Sequence, residues 1–192
     1  MPLSGPREVR ARPGRPNDQE CHVSSFISPT DTDLSTDRLI LRTWTPGEVG
    51  AVLDGSRLAH WAEDFPSEGD RVIAGLFGEH PGWLGEYGHR QIIERSTGLV
   101  VGSIGLFWPP GDGAVEIGYG VVASRRGRGY APEATRALTA FACTAPDVHT
   151  VYADVELSNP PSVRVLEKAG FERWSSEENL ARFRATMPGP AR

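Results

Sequence analysis

The sequence predicts a single α/β domain organised around a mixed sheet. Its 192 residues are enough for one well-buried core and too few for two ordinary domains with a linker. Hydrophobic residues at 39% and charged residues at 23% are those of a globular chain, not of a disordered or fibrous one. From Arg38 onward, runs of strand formers and helical periodicities follow in the order strand, two helices, three strands, helix, strand, helix, two strands.

Ahead of the first strand, Met1 to about Leu34 carries Pro2, Pro6, Pro13, Pro16 and Pro29 and no apolar periodicity. Residues 1–34 therefore read as a disordered tail, and residues 35–192 as the domain. Leu39 to Trp44 is a short apolar run suited to a strand. Thr45-Pro46-Gly47-Glu48 then combines an N-cap Thr, a Pro at the first helical position and a capping-box Glu, ahead of Val49, Val52 and Leu53 on one face. Ser67 and Asp70 repeat the cap, followed by Val72, Ile73, Leu76 and Phe77 at helical spacing. Between the two helices, Leu58 to Phe65 is irregular.

Strands are expected over His89 to Glu94 and Leu99 to Phe107, joined by the Ser96-Thr97-Gly98 turn. After the Pro109 to Gly113 turn comes a strand from Ala114 to Val122. A basic loop from Arg125 leads to a helix opened by Pro132, with Ala134, Ala137, Leu138 and Phe141 on its buried face. Alternation of Val151, Ala153, Val155 and Leu157 marks the next strand. Ser158-Asn159-Pro160-Pro161 starts a helix that Gly170 stops, and two strands close the chain between Phe171 and Met187.

Composition narrows the function classes. A net charge of −5 speaks against generic nucleic-acid binding, and no apolar run nears the roughly 20 residues of a membrane span, so a cytoplasmic protein is expected. Cys21 and Cys143 cannot build a disulfide framework or a structural zinc site, and the five histidines lack ligand spacing, so no metal is expected.

The segment from Glu116 to about Cys143 is the most informative. A glycine-rich loop entering a helix leaves backbone N–H groups unpaired at the positive end of the helix dipole, which suits a phosphate. Gly127 and Gly129 allow close backbone approach, and Arg125, Arg126 and Arg128 add positive charge. An ordinary connection with solvated arginines would look the same. Gly118 to Ala123 matches a dinucleotide-binding pattern only on paper, because it lies inside a predicted strand. No GxxxxGK[ST] loop exists, since Lys168 is the one lysine.

Arg126-Gly127-Arg128-Gly129-Tyr130-Ala131 fits the form [Q/R]-x-x-G-x-[G/A], and here the sequence resembles the GCN5-related N-acetyltransferase family. Thr36 to Arg42, Glu116 to Tyr119, Ser158 to Ser162 and Val165 to Phe171 are similar, in order, to its branch of ribosomal-protein N-acetyltransferases. The resemblance implies a twisted, mixed, mostly antiparallel sheet of six to seven strands flanked by about four helices, its fourth and fifth strands splayed to admit acetyl-CoA. It implies that backbone near Tyr119 to Val121 pairs with the pantetheine arm, with Val121 N–H on the thioester carbonyl. Loop amides from Gly127 to Ala131, through Arg128, Gly129 and Tyr130, would hold the pyrophosphate, and Asn159 and Ser162 would touch the arm from the other side. Asn or Ser beside Pro160-Pro161 is equally a good helix cap. Glu116 is the expected general base, an acid in an otherwise apolar strand, for which a salt-bridged surface residue is the plain alternative. The family's thiolate-protonating Tyr is replaced by Leu166.

Glu63 and Asp64, beside His60, Trp61 and Phe65, are the expected attraction for a cationic acceptor, though such residues are often simply solvated. The expected activity is acetyl transfer from acetyl-CoA to a primary amine, a protein N-terminus or a small molecule, by direct attack. The competing expectation, supported by Leu166, is a catalytically inactive acyl-CoA-binding or regulatory module. Monomer or homodimer is the expected assembly, with no nucleic-acid or membrane partner.

Overall fold

The computed structural model describes residues 32–186. Most of the segment expected as a tail lies outside them. Strands are β1 (Leu34–Ser35), β2 (Leu39–Thr43), β3 (His89–Glu94), β4 (Leu99–Leu106), β5 (Ala114–Val121), β6 (Thr150–Glu156), β7 (Glu172–Glu177) and β8 (Leu180–Thr186). Helices are α1 (Pro46–Asp54), α2 (Glu68–Leu76), α3 (Tyr130–Ala142) and α4 (Pro160–Ala169), with short 3-10 turns at Pro81–Leu84 and Ala123–Arg125.

The sheet runs β1-β2-β3-β4-β5-β6-β8-β7. Neighbours pair antiparallel except β5 and β6, which are parallel. The strand count is eight, not six to seven, because Leu34 and Ser35 pair with Leu41 and Ile40. The chain is already fixed at Thr32, whose carbonyl accepts from buried Arg90 Nη1 at 2.7 Å. Helix α3 begins at Tyr130, two residues before Pro132, which sits within its first turn.

Both expected capping boxes form, and each fastens its helix to the sheet. Glu48 accepts from the Thr45 N–H at 2.9 Å and hydroxyl at 2.8 Å, while its other oxygen takes Arg42 Nη2 of β2 at 2.6 Å. Asp70 accepts from the Ser67 N–H at 2.7 Å and hydroxyl at 2.6 Å, and its second oxygen takes the Ser103 hydroxyl of β4. Arg42, Gln91 and Ser103 lie in one cross-strand row, so α1 and α2 cover the same face. Helix α4 lies on the opposite face, where Tyr119 of β5 reaches Ser162. The irregular 58–65 segment is held by Arg57, which donates to the carbonyls of Trp61, Ala62, Glu63 and Phe65.

The opening of the sheet is set by where pairing stops. β5 and β6 pair only over Ala114 to Glu116 against Thr150 to Tyr152, and both strands continue unpaired beyond. On its other edge β5 stays paired with β4. Phe107 N–H donates to Glu116 O at 3.0 Å and Val122 N–H to Val101 O at 2.9 Å, so even-numbered residues face β4. Backbone groups of a strand alternate between its two edges. Tyr119 and Val121, beyond the last β6 pair, therefore turn theirs into the gap.

His89 is buried among Phe77, Trp83 and Phe107, opposite Gly105, where a Cβ would stand 2.1 Å from the imidazole. Burial pushes its pKa down to about 4. A neutral imidazole in the fold and a protonatable one in the unfolded chain make stability fall as pH drops through the unfolded value of about 6.5, until the folded form titrates near 4. That withdraws about 3 kcal/mol across the window. His89→Phe is expected to unfold in urea with a midpoint less dependent on pH between 6.5 and 4 than wild type, and equal slopes would refute it.

Candidate active site

At the end of β5 the chain turns through Ala123–Arg125 into the glycine loop and α3. Gly127 and Gly129 have φ of 76° and 79°, the left-handed region that side-chain-bearing residues avoid. Arg38 holds the loop from outside, donating to the carbonyls of Arg128 at 2.8 Å and Gly129 at 3.4 Å. Arg38 is held in turn by Glu133 of α3, through Nε at 2.8 Å and Nη2 at 2.6 Å. Glu133 also takes the Thr36 hydroxyl at 2.6 Å and the Arg38 N–H at 3.0 Å. With these carbonyls turned outward, the amides of Gly127, Arg128, Gly129, Tyr130 and Ala131 have no protein acceptor among the described residues. Five unpaired donors at the positive end of a 13-residue helix form a seat for an anion.

A second carboxylate anchors the loop from the sheet. Glu94 of β3 is buried and accepts from the Tyr130 hydroxyl and from Thr97 Oγ1 at 2.7 Å. Arg128 Nη1 and Arg125 Nε lie 3.5 and 3.6 Å from its oxygens. Burial alone would raise the Glu94 pKa, but its hydrogen bonds and the two arginines hold it below the usual carboxylate value. The basic residues expected to neutralise a phosphate are thus divided. Arg128 turns its side chain to Glu94, Arg125 touches Glu94 and lines the cleft, and Arg126 lines the cleft while its Nε donates to Val121 O at 2.9 Å.

The cleft has a volume of about 460 Å³. One wall is Tyr119 to Val121 of β5, its end is the loop, and the other wall is Asn159, Ser162 and Val165 on α4. Asn159 is the N-cap of α4, its side chain accepting from the Ser162 N–H at 3.3 Å, and it lines the cleft as well. The Tyr119 hydroxyl lies 2.9 Å from Ser162 Oγ and 3.1 Å from Ser162 O, spanning the two walls. Leu166 is 1% exposed and belongs to the core.

Glu116 is on β5 but not in that cleft. Of opposite parity to Tyr119, it projects from the face that carries α1 and α2, beside Tyr152 of β6. Desolvation raises its pKa, Asp154 pushes it further and Arg182 opposes. Asp154 is itself paired to Arg182 through two bonds of 2.7 and 2.6 Å. Both oxygens of Asp64 are held by Ser124, through its N–H at 2.9 Å and its hydroxyl at 2.7 Å, tying the 58–65 segment to the turn after β5. Glu63 is exposed. The residues set together are therefore Tyr119, Val121, Arg126, Gly127, Gly129, Tyr130, Ala131, Asn159 and Ser162, with Glu116 across the strand. Glu94 and Glu133 carry no signal of their own in the sequence, and Thr36 and Arg38 carry one only as part of the matching Thr36 to Arg42 stretch.

The GNAT acetyltransferase domain model matches residues 38–172. The chain belongs to the GNAT family. An uncharacterized N-acetyltransferase, p20, of Bacillus licheniformis is 30% identical over 90 residues, 46% of this chain and 51% of that protein. The chain thus spans about half the length of the curated relatives it matches. An acetyltransferase from Agrobacterium tumefaciens str. C58 superposes with a TM-score of 0.60 at 25% identity, covering 81% of this chain and 94% of that one. RimL, a ribosomal L7/L12 alpha-N-protein acetyltransferase solved with coenzyme A, superposes at 0.58 with 18% identity, over 81% of this chain and 98% of its own, and shares the fold. Among the described residues no helix is long and apolar enough to cross a membrane, and no group of three His, Cys, Asp or Glu could hold a metal ion.

Because Arg38 is the one side chain among the described residues that donates to both loop carbonyls, Arg38→Ala is expected to weaken coenzyme A binding by about tenfold, a loss of about 1.4 kcal/mol. Calorimetric titration of the full chain measures it. An unchanged Kd would mean that the glycines hold the amides in place unaided.

Proposed function

We propose that this chain is an acetyl-CoA-dependent N-acetyltransferase that moves an acetyl group to a primary amine by direct attack, carried out by the domain over residues 35–192. The observation that carries this reading is the continuity of the unpaired edge of β5 with the five unpaired amides at the start of α3. A coenzyme with a pyrophosphate and an amide-bearing arm satisfies both sets at once, and the residues present fit it. When bound, acetyl-CoA supplies the activated thioester.

The protein's part is orientation and proton transfer. Gly127 to Ala131 donate backbone N–H groups to the pyrophosphate, Arg126 adds charge, and Tyr119 and Val121 offer backbone partners to the arm. Val121 O is engaged by Arg126, while Val121 N–H faces the gap and is the proposed donor to the thioester oxygen. A preorganised donor of this kind is worth roughly 3 to 4 kcal/mol to an acyl-transfer transition state. Asn159 and Ser162 contact the arm from α4. Glu116, on the other face of β5, receives the proton that the attacking amine gives up, directly or through water. Cys143 caps the far end of α3 and no Ser–His or Cys–His pair lies in the cleft, which favours direct transfer.

The acceptor class is a primary amine on a protein N-terminus or a small molecule. Of the two carboxylates expected to attract it, Asp64 is engaged by Ser124, so the role falls on Glu63, which makes no ion pair among the described residues. Burial of Leu166 where the family often has a Tyr favours a second reading, an acyl-CoA-binding module without turnover.

Thiol release from acetyl-CoA across a panel of amines separates the two. Transfer to at least one amine is expected, and tight binding with no turnover on any would favour the module. Glu116→Gln is expected to lower kcat by about 10² to 10⁴, the usual worth of a positioned base, without changing coenzyme A affinity. The base works deprotonated and its folded pKa is raised, so the wild-type rate should climb with pH through a midpoint above the ordinary carboxylate value. The variant should lose that limb.

A further inference from the structure

We propose that Asp154 and Arg182 are positioning residues for the proton transfer: Asp154 binds the Arg182 guanidinium and keeps it off Glu116, so that the Glu116 carboxylate stays free to take the amine's proton. This rests on the acetyltransferase reading above, in which Glu116 is the base.

Strand register brings the group together. Parallel pairing sets Glu116 of β5 opposite Tyr152 of β6, and antiparallel pairing sets Tyr152 opposite Arg184 and Asp154 opposite Arg182 of β8. By alternation these side chains share one face of the sheet. Arg182 spans them. Its Nε and Nη2 donate to the two Asp154 oxygens at 2.7 and 2.6 Å, and its Cζ lies 4.9 Å from the centre of the Tyr152 ring. Tyr152 is the neighbour of Glu116 in register, so the guanidinium stands one ring away from the base. Even so, no ion pair joins Arg182 to Glu116.

Other charged and titratable groups on this side are occupied elsewhere or lie further off. Arg184 rests on the Trp174 ring at 4.9 Å, opposite Glu172 of β7, and Glu156 is at the far end of β6. On the β4 side the neighbour is Phe107, whose N–H donates to Glu116 O at 3.0 Å. Against Phe107 pack His89, buried and neutral, and Trp83, on which His80 stacks. Glu48 of α1 and Asp70 of α2 are bound to Arg42 and Ser103.

A guanidinium free to pair with Glu116 would hold that carboxylate ionised and fill its lone pairs, which makes a poor base. Asp154 prevents this by taking two of the Arg182 N–H groups, and its own charge adds repulsion. Burial raises the Glu116 pKa, Asp154 raises it further, and Arg182 opposes only in part. As the new C–N bond forms, the amine's proton moves to a Glu116 oxygen, and the carboxyl returns it to water. Asp154, with both oxygens engaged, does not compete for that proton.

The two halves of one ion pair should therefore act on Glu116 in opposite senses, which loss of a merely structural pair would not do. Carboxyl-carbon NMR of the glutamate-labelled full-length protein reads this without an acceptor, the Glu116 signal being the one absent from Glu116→Gln. Asp154→Asn releases Arg182 and should lower the Glu116 midpoint by about one pH unit. Arg182→Gln leaves Asp154 unopposed and should raise it by about as much. The double variant should titrate between the two singles. With an amine that proves a substrate, the acid limb of the rate profile should move the same way, while the Kd for coenzyme A changes less than about threefold, because the pair lies on the face away from the cleft. Midpoints that stay put, or that move in the same direction in both single variants, overturn the proposal. If one single variant does not fold, the other must still depart from the double variant in its stated direction. A rate limb that survives in Glu116→Gln would overturn the base and this inference together, whereas failure of wild type to bind coenzyme A would overturn the acetyl-CoA reading itself.

Discussion

Parallel pairing between β5 and β6 ends after three residues, and that early end shapes the molecule. A sheet interior that leaves N–H and C=O groups unpaired is costly unless water or a ligand reaches them. Here both strands run on past the last pair, so the open edge of β5 is not a frayed end but a row of donors and acceptors held straight by β4. The loop after β5 adds five more unpaired amides in line with that row. The fold tolerates these groups because they face a cleft wide enough for solvent, and the same groups are the ones an extended amide-bearing ligand would satisfy.

Holding such a site open falls to carboxylates. Glu48, Glu94 and Glu133 each lose solvation, yet all titrate below the usual value because hydrogen bonds and nearby arginines outweigh that penalty. Each joins two elements: Glu48 ties α1 to β2, Glu94 ties β3 to the loop, and Glu133 ties α3 to Thr36 and Arg38. Buried ion pairs contribute little net stability against apolar packing, but removing one partner is expensive. Their value is therefore geometric: the loop carbonyls can point in only one direction. Glu116 is the contrast. Its closest charges are Asp154, which repels it, and Arg182, already bound to Asp154, so its affinity for a proton rises instead of falling.

Local chemistry was legible in the sequence and long-range chemistry was not. Both capping boxes, the Gly170 cap at φ 90° and the strand alternation in β6 follow from neighbours a few residues apart. β1 escaped because two residues carry no periodicity. The loop was readable from its glycines and from the family resemblance, which together named the residues lining the cleft. Its supports were not, since Arg38 meets Glu133 across 95 positions and Tyr130 meets Glu94 across 36. Composition made Arg125, Arg126 and Arg128 one basic cluster, whereas the buried Glu94 draws two of them partly away. Asp64 looked like a solvent-facing acid because nothing nearby in sequence reveals its bonds to Ser124.

One strand presents three sets of polar groups through two alternations. Side chains of β5 alternate between faces, so Glu116 projects toward the α1 and α2 side and Tyr119 toward α4. Backbone groups alternate between edges, so the odd residues that send side chains toward α4 also send N–H groups into the gap. Glu116, proposed as the base, the backbone groups of the open edge and the Tyr119 hydroxyl are thus fixed relative to one another by strand geometry, not by loops. The arrangement depends on register, because a slip of one residue against β4 would reverse both alternations together. Gly102, opposite Val121, stands where that register is most constrained: a Cβ there would lie 2.1 Å from Gly120 O. Any side chain at 102 would have to push β5 away from β4, and with it every group that the strand presents to the cleft.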